Sequence, residues 1–410
     1  MMEYASTPRR RRSRVSVNSA RVLVPGPVRI GYTFDKTSSP LEGGIFVASD
    51  LSLADYPAVV GCGGVICQGC EPTSHIAVVC RIIGIPVMVM EDACARFLAG
   101  SLVTLHPDAA QIIDGAIDAP DAITPSGLTE VVEARAIQFQ LSIVPHPGLI
   151  AAINAVGRDD VEHFFLREEF IWFESDEEPF EYLRVHGCEA VTERLVSASV
   201  PLLKEMKPTQ ILNFRGLDIR SDQRPDEGSN EREPNPQLGL HGVRRLLAEP
   251  DFLEAELRAV DGLYELGWSN VLYSIPFLTL EEELTAVLAL RDRICRHNVR
   301  IGVFVETPAA VSELPSLLRH DLAAVYVGSK DLTQLILAAD RDNAAVSHLL
   351  SIRQRPVVKA IREALQACSG VDIPVYVFAF ESDVRFLVDE IGDLDRISVA
   401  AADYRRAFSG

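Results

Sequence analysis

Eight short, predominantly apolar runs recur across residues 141–399, with helical spacing in the stretches between them. They lie at 141–144, 163–166, 211–214, 270–273, 302–305, 324–327, 375–378 and 396–399. Runs that do not alternate with polar residues are what parallel strands need when helices cover them on both sides. Eight such βα units are the number that closes a (β/α)8 barrel, so a TIM barrel is expected over residues 137–410. Barrels of this kind gather their chemistry at the carboxyl ends of the strands. Arg167, Arg215, Glu306 and Asp331 all fall at or just after an apolar run. Four polar groups drawn from four strands describe a mouth that binds an anion together with a metal.

The first quarter of the chain reads differently. Runs at 28–31, 44–48, 64–67 and 87–90 are broken by Gly and Pro and read as strands. Runs at 103–105 and 111–113 form an expected closing hairpin around Pro107-Asp108. Residues 74–83 have helical spacing and stop at Gly84, a good C-terminal signal. Residues 21–115 therefore make a small β/α domain, and the whole chain belongs to the α/β class. Residues 116–136, rich in Asp and Pro before a short helical stretch, are the expected linker. Residues 1–20 are the expected disordered basic tail: Arg9 to Arg12 precede a polar segment, not the apolar core of a secretory signal.

Charge and composition narrow the function classes. A net charge of −19 argues against a general nucleic-acid binder, which needs an excess of Lys and Arg. No apolar run is long enough to cross a bilayer, so no membrane role is expected and the location is read as cytoplasmic. Cys62, Cys67 and Cys70 lack a second His/Cys cluster at zinc spacing, so they read as reduced thiols.

The strongest local signal is Thr73-Ser74-His75, followed by a helix that ends in Gly84-Ile85-Pro86. A histidine at a helix start can carry a phosphoryl group where free N–H groups and the helix dipole favour negative charge. With these residues the chain resembles the phosphohistidine swivelling domain of the phosphoenolpyruvate-utilising enzymes. That family includes enzyme I of the sugar phosphotransferase system, pyruvate phosphate dikinase and phosphoenolpyruvate synthase. The likeness continues through the expected barrel. Arg167-Glu168-Glu169-Phe170 resembles the family's Arg-Thr-Glu-Phe, and Arg215-Gly216-Leu217-Asp218-Ile219 its Arg-Thr-Leu-Asp-Ile. Asn235-Pro236-Gln237-Leu238-Gly239-Leu240-His241-Gly242 resembles Asn-Pro-x-Leu-Gly-x-Arg-Gly. Glu306-Thr307-Pro308 and Gly328-Ser329-Lys330-Asp331-Leu332-Thr333-Gln334 match the two stretches that carry the family's metal carboxylates.

The resemblance implies a phosphotransferase in which His75 is the catalytic phosphoryl carrier. It implies Arg167, Arg215, His241, Lys330 and Arg341 as contacts to an anionic phosphorylated substrate, and Glu306 and Asp331 as ligands to Mg²⁺. Two carboxylates suit Mg²⁺, a hard ion that keeps substrate oxygens and water in its shell. Arginines suit a phosphate ester, and charge neutralisation with positioning does most of the work of phosphoryl transfer. It further implies a homodimer, and a separate ATP-grasp or phosphocarrier partner, since neither the family's nucleotide domain nor its docking insert is recognised in the sequence.

Departures are equally specific. Cys70-Glu71-Pro72 stands where the family has Gly-Gly-Arg, His241 replaces an Arg, and Lys330 replaces an Asn. Phe378 falls where the family's Cys protonates the enolate carbon, and a phenyl ring donates no proton. Two other readings stay open on these grounds: a degenerate, metabolite-binding regulator, and a metal–enolate lyase or aldolase on the same barrel.

Overall fold

The computed structural model describes residues 16–52, 55–70, 75–117, 128–129, 135–173, 175, 177–223, 233–341, 343 and 345–408; for His75 it describes the main chain only. The chain divides into two compact units, one of residues 1–80 and 85–123, the other of 124–410 with 81–84. The principal division falls inside the stretch read as a linker, most of which lies outside the described residues.

The first unit carries β1 (Val17–Ser19), β2 (Arg21–Val24), β3 (Arg29–Phe34), β4 (Ile45–Asp50), β5 (Gly64–Gly69), β6 (Val87–Val89), β7 (Leu102–His106) and β8 (Gln111–Asp114). They form one sheet in the order β1-β8-β7-β3-β4-β5-β6-β2. The central β3 to β6 run parallel, whereas β7 and β8 pair antiparallel as the expected hairpin. Ile45, Val47, Ile66, Met88, Phe97, Leu105 and Ile112 pack into its core. Helix His75–Ile83 ends as the sequence indicates: Gly84 takes φ +78, and Ile85 N–H donates to the Cys80 carbonyl at 2.9 Å. That is a Schellman closure, which favours glycine at the left-handed position.

The expected tail boundary at residue 20 needs correction. Val17–Ser19 is an edge strand on β8, with Val17 opposite Ile113, and Asn18 Nδ2 donates to the Ile112 carbonyl at 3.1 Å. β2 was likewise not expected. Each is only three or four residues long, too few to display a period; β1 is held mainly by its pairing with β8, whereas β2 also buries Leu23 and Val24.

The second unit is built on β9 (Gln138–Ile143), β10 (Val161–Arg167), β11 (Ile211–Arg215), β12 (Val271–Leu278), β13 (Ile301–Val305), β14 (Leu322–Val327), β15 (Val375–Phe378) and β16 (Arg396–Ala400). All eight are parallel, each beside the next, and β16 closes on β9 with Ile397 opposite Phe139. Every apolar run read from the sequence is one of these strands. Inside, Phe165, Leu272, Phe304, Tyr326 and Tyr376 fill the barrel as a packed core. A buried polar chain crosses it as well: Asn213 Nδ2 donates to Gln140 Oε1 at 2.9 Å, and Ser274 Oγ to Asn213 Oδ1 at 2.5 Å. Helices follow the strands, among them Pro250–Glu265 after β11, Pro308–Leu317 after β13 and Ser329–Leu337 after β14.

Candidate functional site

The carboxyl ends of β10, β11, β13 and β14 meet at one mouth of the barrel, and the four polar residues flagged by position converge there. Arg167 and Arg215 are the last residues of adjacent strands and stand opposite each other in register. Both guanidinium groups lie against aromatic rings. Arg215 is 5.5 Å from the Phe304 centroid and 5.9 Å from Phe165, and Arg167 is 5.6 Å from Phe165. Buried Arg215 forms an ion pair with Glu169 and lies 3.6 Å from Asp218. Burial works against its charge, but these carboxylates hold it above its usual value. Arg167 makes no ion pair among the described residues. Burial and the charge of Arg215 bring it down to about 10, against the pull of Glu169, Glu306 and Asp331. The Nε atoms of both arginines are buried without a hydrogen-bond partner among the described residues. Buried donors left open in this way are costly unless an acceptor arrives.

Across the mouth, Glu306 follows β13 and is 4% exposed, and its Oε2 accepts from Phe277 N–H at 3.0 Å. Its carboxyl is pushed up to about 8 by burial and by repulsion from Asp331, partly offset by Arg215. Gly328, the turn before Asp331, has to lack a side chain, because a Cβ there would fall on the Glu306 carboxyl. Asp331 lies in the first turn of Ser329–Leu337 and pairs with Arg341 at 2.9 Å. Two neighbouring carboxylates, one buried and short of donors, form a site that a cation would relieve, and hard oxygens are what Mg²⁺ takes. No group of three or more His, Cys, Asp or Glu is placed to hold a metal among the described residues. These two carboxylates could therefore supply only part of a coordination shell, the rest coming from substrate and water.

The other expected contacts are placed less uniformly. Lys330 Nζ lies 4.5 Å from the Phe380 centroid, and burial, with Arg167 and Arg341 nearby, holds it well below the lysine range. Arg341 reaches the same face, its main-chain N–H donating to Gln334 Oε1 at 3.1 Å. His241 departs from the expected role of substrate contact. Its Nδ1 lies 2.7 Å from Asp218 Oδ1 and its Nε2 3.2 Å from the Gln237 carbonyl, so neither nitrogen is left for an anion. Although burial opposes it, Asp218 keeps this imidazole above the ordinary histidine value. The shorter, doubly anchored ring braces the loop where an arginine would extend. His75 opens its helix as expected; Thr73 and Ser74 lie outside the described residues.

Phe378 is packed against Phe165 and Phe304, with centroids 5.0 and 5.5 Å apart. It offers an apolar wall where the family resemblance places a proton donor. Glu169, Asp218, Gln237 and Gln334 were not singled out from the sequence, although all four lie inside the motifs quoted for it. Charge complementarity to the arginines was the signal available for Glu169 and Asp218, and no such signal marks the two neutral glutamines. A cavity of about 840 Å³ lies at the opposite, amino end of the barrel, lined among others by Glu162, Thr209, Asp372 and Arg396. That end of a TIM barrel ordinarily serves stability.

Comparison with known proteins bears on both units. Residues 148–403 match the model for the PEP-utilising enzyme, PEP-binding domain, and residues 40–110 that for the PEP-utilising enzyme, mobile domain. A probable phosphoenolpyruvate synthase of Archaeoglobus fulgidus is 26% identical over 387 residues, covering 90% of this chain and 50% of the relative. A multiphosphoryl transfer protein of Xanthomonas campestris pv. campestris is 28% identical over 369 residues, covering 82% and 41%. A phosphoenolpyruvate-protein phosphotransferase of Haemophilus influenzae is 26% identical over 319 residues, covering 72% and 53%. The chain spans about half the length of such relatives, 50% and 45% of two phosphoenolpyruvate synthases. With an eight-stranded barrel whose mouth gathers arginines and carboxylates, and with both domain models matched in order, the chain belongs to the PEP-utilising enzyme family.

Proposed function

We propose that this protein is a phosphotransferase that relays a phosphoryl group through His75, to or from an anionic phosphorylated substrate of the phosphoenolpyruvate class held at the barrel mouth. The observation that carries the reading is the pair Arg167 and Arg215, adjacent strand ends with buried, unsatisfied Nε donors, facing the carboxylates of Glu306 and Asp331. Arg167 and Arg215 would bind the phosphate, with Arg341 adding charge and Lys330, whose charged form burial opposes, adding a hydrogen-bond donor. Glu306 and Asp331 would hold Mg²⁺, which when bound neutralises charge on the substrate oxygens. An unprotonated nitrogen of His75 attacks phosphorus, forming a P–N bond as the P–O bond breaks, and the electron pair leaves on the enol oxygen. The aromatic floor of Phe165, Phe304 and Phe378 keeps water from the reacting face.

The second phosphoryl partner is proposed as a separate nucleotide-binding or phosphocarrier protein; the name of one relative, a phosphoenolpyruvate-protein phosphotransferase, supports transfer to a protein. The protein itself is proposed as a cytoplasmic homodimer. Phe378 favours one further reading, a protein that binds the ligand without protonating an enolate to pyruvate. The test is incubation with Mg²⁺ and phosphoenolpyruvate labelled at phosphorus. Acid-labile label on the protein, absent from His75→Ala, is the expected result. Tight binding without label would select the non-catalytic reading, and neither binding nor label would reject both.

A further inference from the structure

Behind the two arginines lies a second pair of acids that the reaction above does not use. Glu168 and Glu256 are both fully buried with their carboxyl groups side by side, so that a hydrogen bond between them needs only a proton on one. Two carboxylates are acceptors only, so such a bond requires that one of them carry a proton. The surrounding donors decide which. Glu256 Oε1 accepts from Leu217 N–H at 2.8 Å, and its Oε2 accepts from Tyr273 O–H at 2.5 Å. Glu168 Oε1 accepts from Trp172 Nε1 at 3.0 Å, but its Oε2 is buried with no donor facing it. Placing the proton on Glu168 Oε2 satisfies both residues: the acid donates to Glu256, and the ionised Glu256 receives three donors. Burial and the neighbouring Glu256 both drive Glu168 far above the usual carboxyl range, in agreement with this placement.

What the pair joins is specific. Glu168 follows Arg167, and Leu217 lies two residues after Arg215, immediately before the Asp218 that braces His241. The Glu168 N–H also donates to the Arg215 carbonyl at 3.2 Å. Gly216, between Arg215 and Leu217, admits the Tyr273 hydroxyl and lies near Glu256; a Cβ there would overlap the hydroxyl and sit 3.1 Å from Glu256 Oε2. Through helix Pro250–Glu265 and β12, the two carboxyl groups lie between the ends of both arginine-bearing strands.

We propose that Glu168 is a positioning residue, whose proton-bearing carboxyl, donated to Glu256, sets Arg167 and Arg215 at the spacing that clamps a phosphate. The inference rests on the anion-site reading above, and its test separates the two. Binding of phosphoenolpyruvate with Mg²⁺, and of inorganic phosphate, is measured by calorimetry on the full chain, and the infrared carbonyl band of the Glu168 acid is taken at neutral pH from wild-type-minus-variant difference spectra, which cancel the band of Glu306, itself pushed up to about 8. Glu168→Gln replaces the acid O–H by an amide N–H and keeps the oxygen that faces Trp172. It is expected to lose the infrared band and to bind both ligands within about twofold of wild type, the cost of one modestly altered hydrogen bond. Glu168→Ala is expected to weaken both by about tenfold or more, as loss of a charge-assisted bond does. Rescue by Gln but not Ala is what a bulk packing role would not produce, because Ala and Gln would then differ in melting temperature and not in affinity. A Glu168→Gln protein as impaired as Glu168→Ala, or one that keeps the band, overturns the proposal. Wild-type protein that binds neither ligand overturns the anion site and the positioning role together, while the band still reports whether the proton is shared.

Discussion

Arg167 and Arg215 look equivalent in sequence, yet their surroundings differ, and substitution should separate them. Arg167 makes no ion pair among the described residues, so its charge is available to a ligand. Arg167→Gln should weaken phosphoenolpyruvate binding by roughly 10–100-fold, the worth of hydrogen bonds to a charged group, while leaving denaturant stability nearly unchanged. Arg215 is bound into Glu169 and Asp218. Arg215→Gln should lose binding and also about 3–5 kcal/mol of stability, because it strands buried carboxylates. Urea titration beside calorimetry reads both, and equal stability losses would contradict the assignment. Gly328 makes a third case: Gly328→Ala drives a Cβ into Glu306. It should abolish Mg²⁺-dependent binding while Mg²⁺-independent phosphate binding survives. If both are unchanged, Glu306 is not where the ion is held.

At the scale of elements, the irregular end of β12, where its register on β13 shifts between Ile275 and Leu278, supports the metal side of the mouth. Phe277 takes φ +50, unusual for an aromatic residue, and so aims its N–H at Glu306. Gly242, at φ +55, packs under it; a Cβ there would lie 2.6 Å from the Phe277 Cβ and 3.1 Å from the Pro276 carbonyl. Gly242→Ala should therefore cost about 1–3 kcal/mol, the range for a strained backbone position. It should also weaken Mg²⁺-dependent binding by displacing Phe277. Denaturant unfolding with and without Mg²⁺ would show whether the two losses travel together.

For the molecule as a whole, acid stability is set partly at the barrel's buried interior. His163 on β10 is 3% exposed, with Nδ1 at 3.1 Å from the Tyr326 hydroxyl. Burial, helped by Arg300 and Arg396, lowers it from 6.5 to about 3. The unfolded chain thus binds this proton near pH 6.5 and the folded barrel does not. Stability from keeping the ring neutral is fully present above that pH and is lost as pH falls toward about 3. The loss should reach a few kcal/mol, and His163→Gln, which cannot titrate, should flatten that limb of the stability curve. A variant with an unchanged acid limb would show that other groups govern it.

Apolar runs, Gly and Pro placement, and ordered motifs were enough to read the eight barrel strands, the mobile-domain hairpin, the helix after His75 and the Arg, Glu and Asp residues of the mouth. These features are local, carried by periodicity and by position along one strand. The edge strands β1 and β2 were hidden because three or four residues are too few to display a period, although β2 buries Leu23 and Val24. The arrest of His241 by Asp218, the open Nε donors of Arg167 and Arg215, and the shared proton of Glu168 and Glu256 belong to tertiary structure alone. Each depends on which groups from distant strands face one another in a buried space, and on which donors remain after pairing, and neither quantity exists until the barrel has closed.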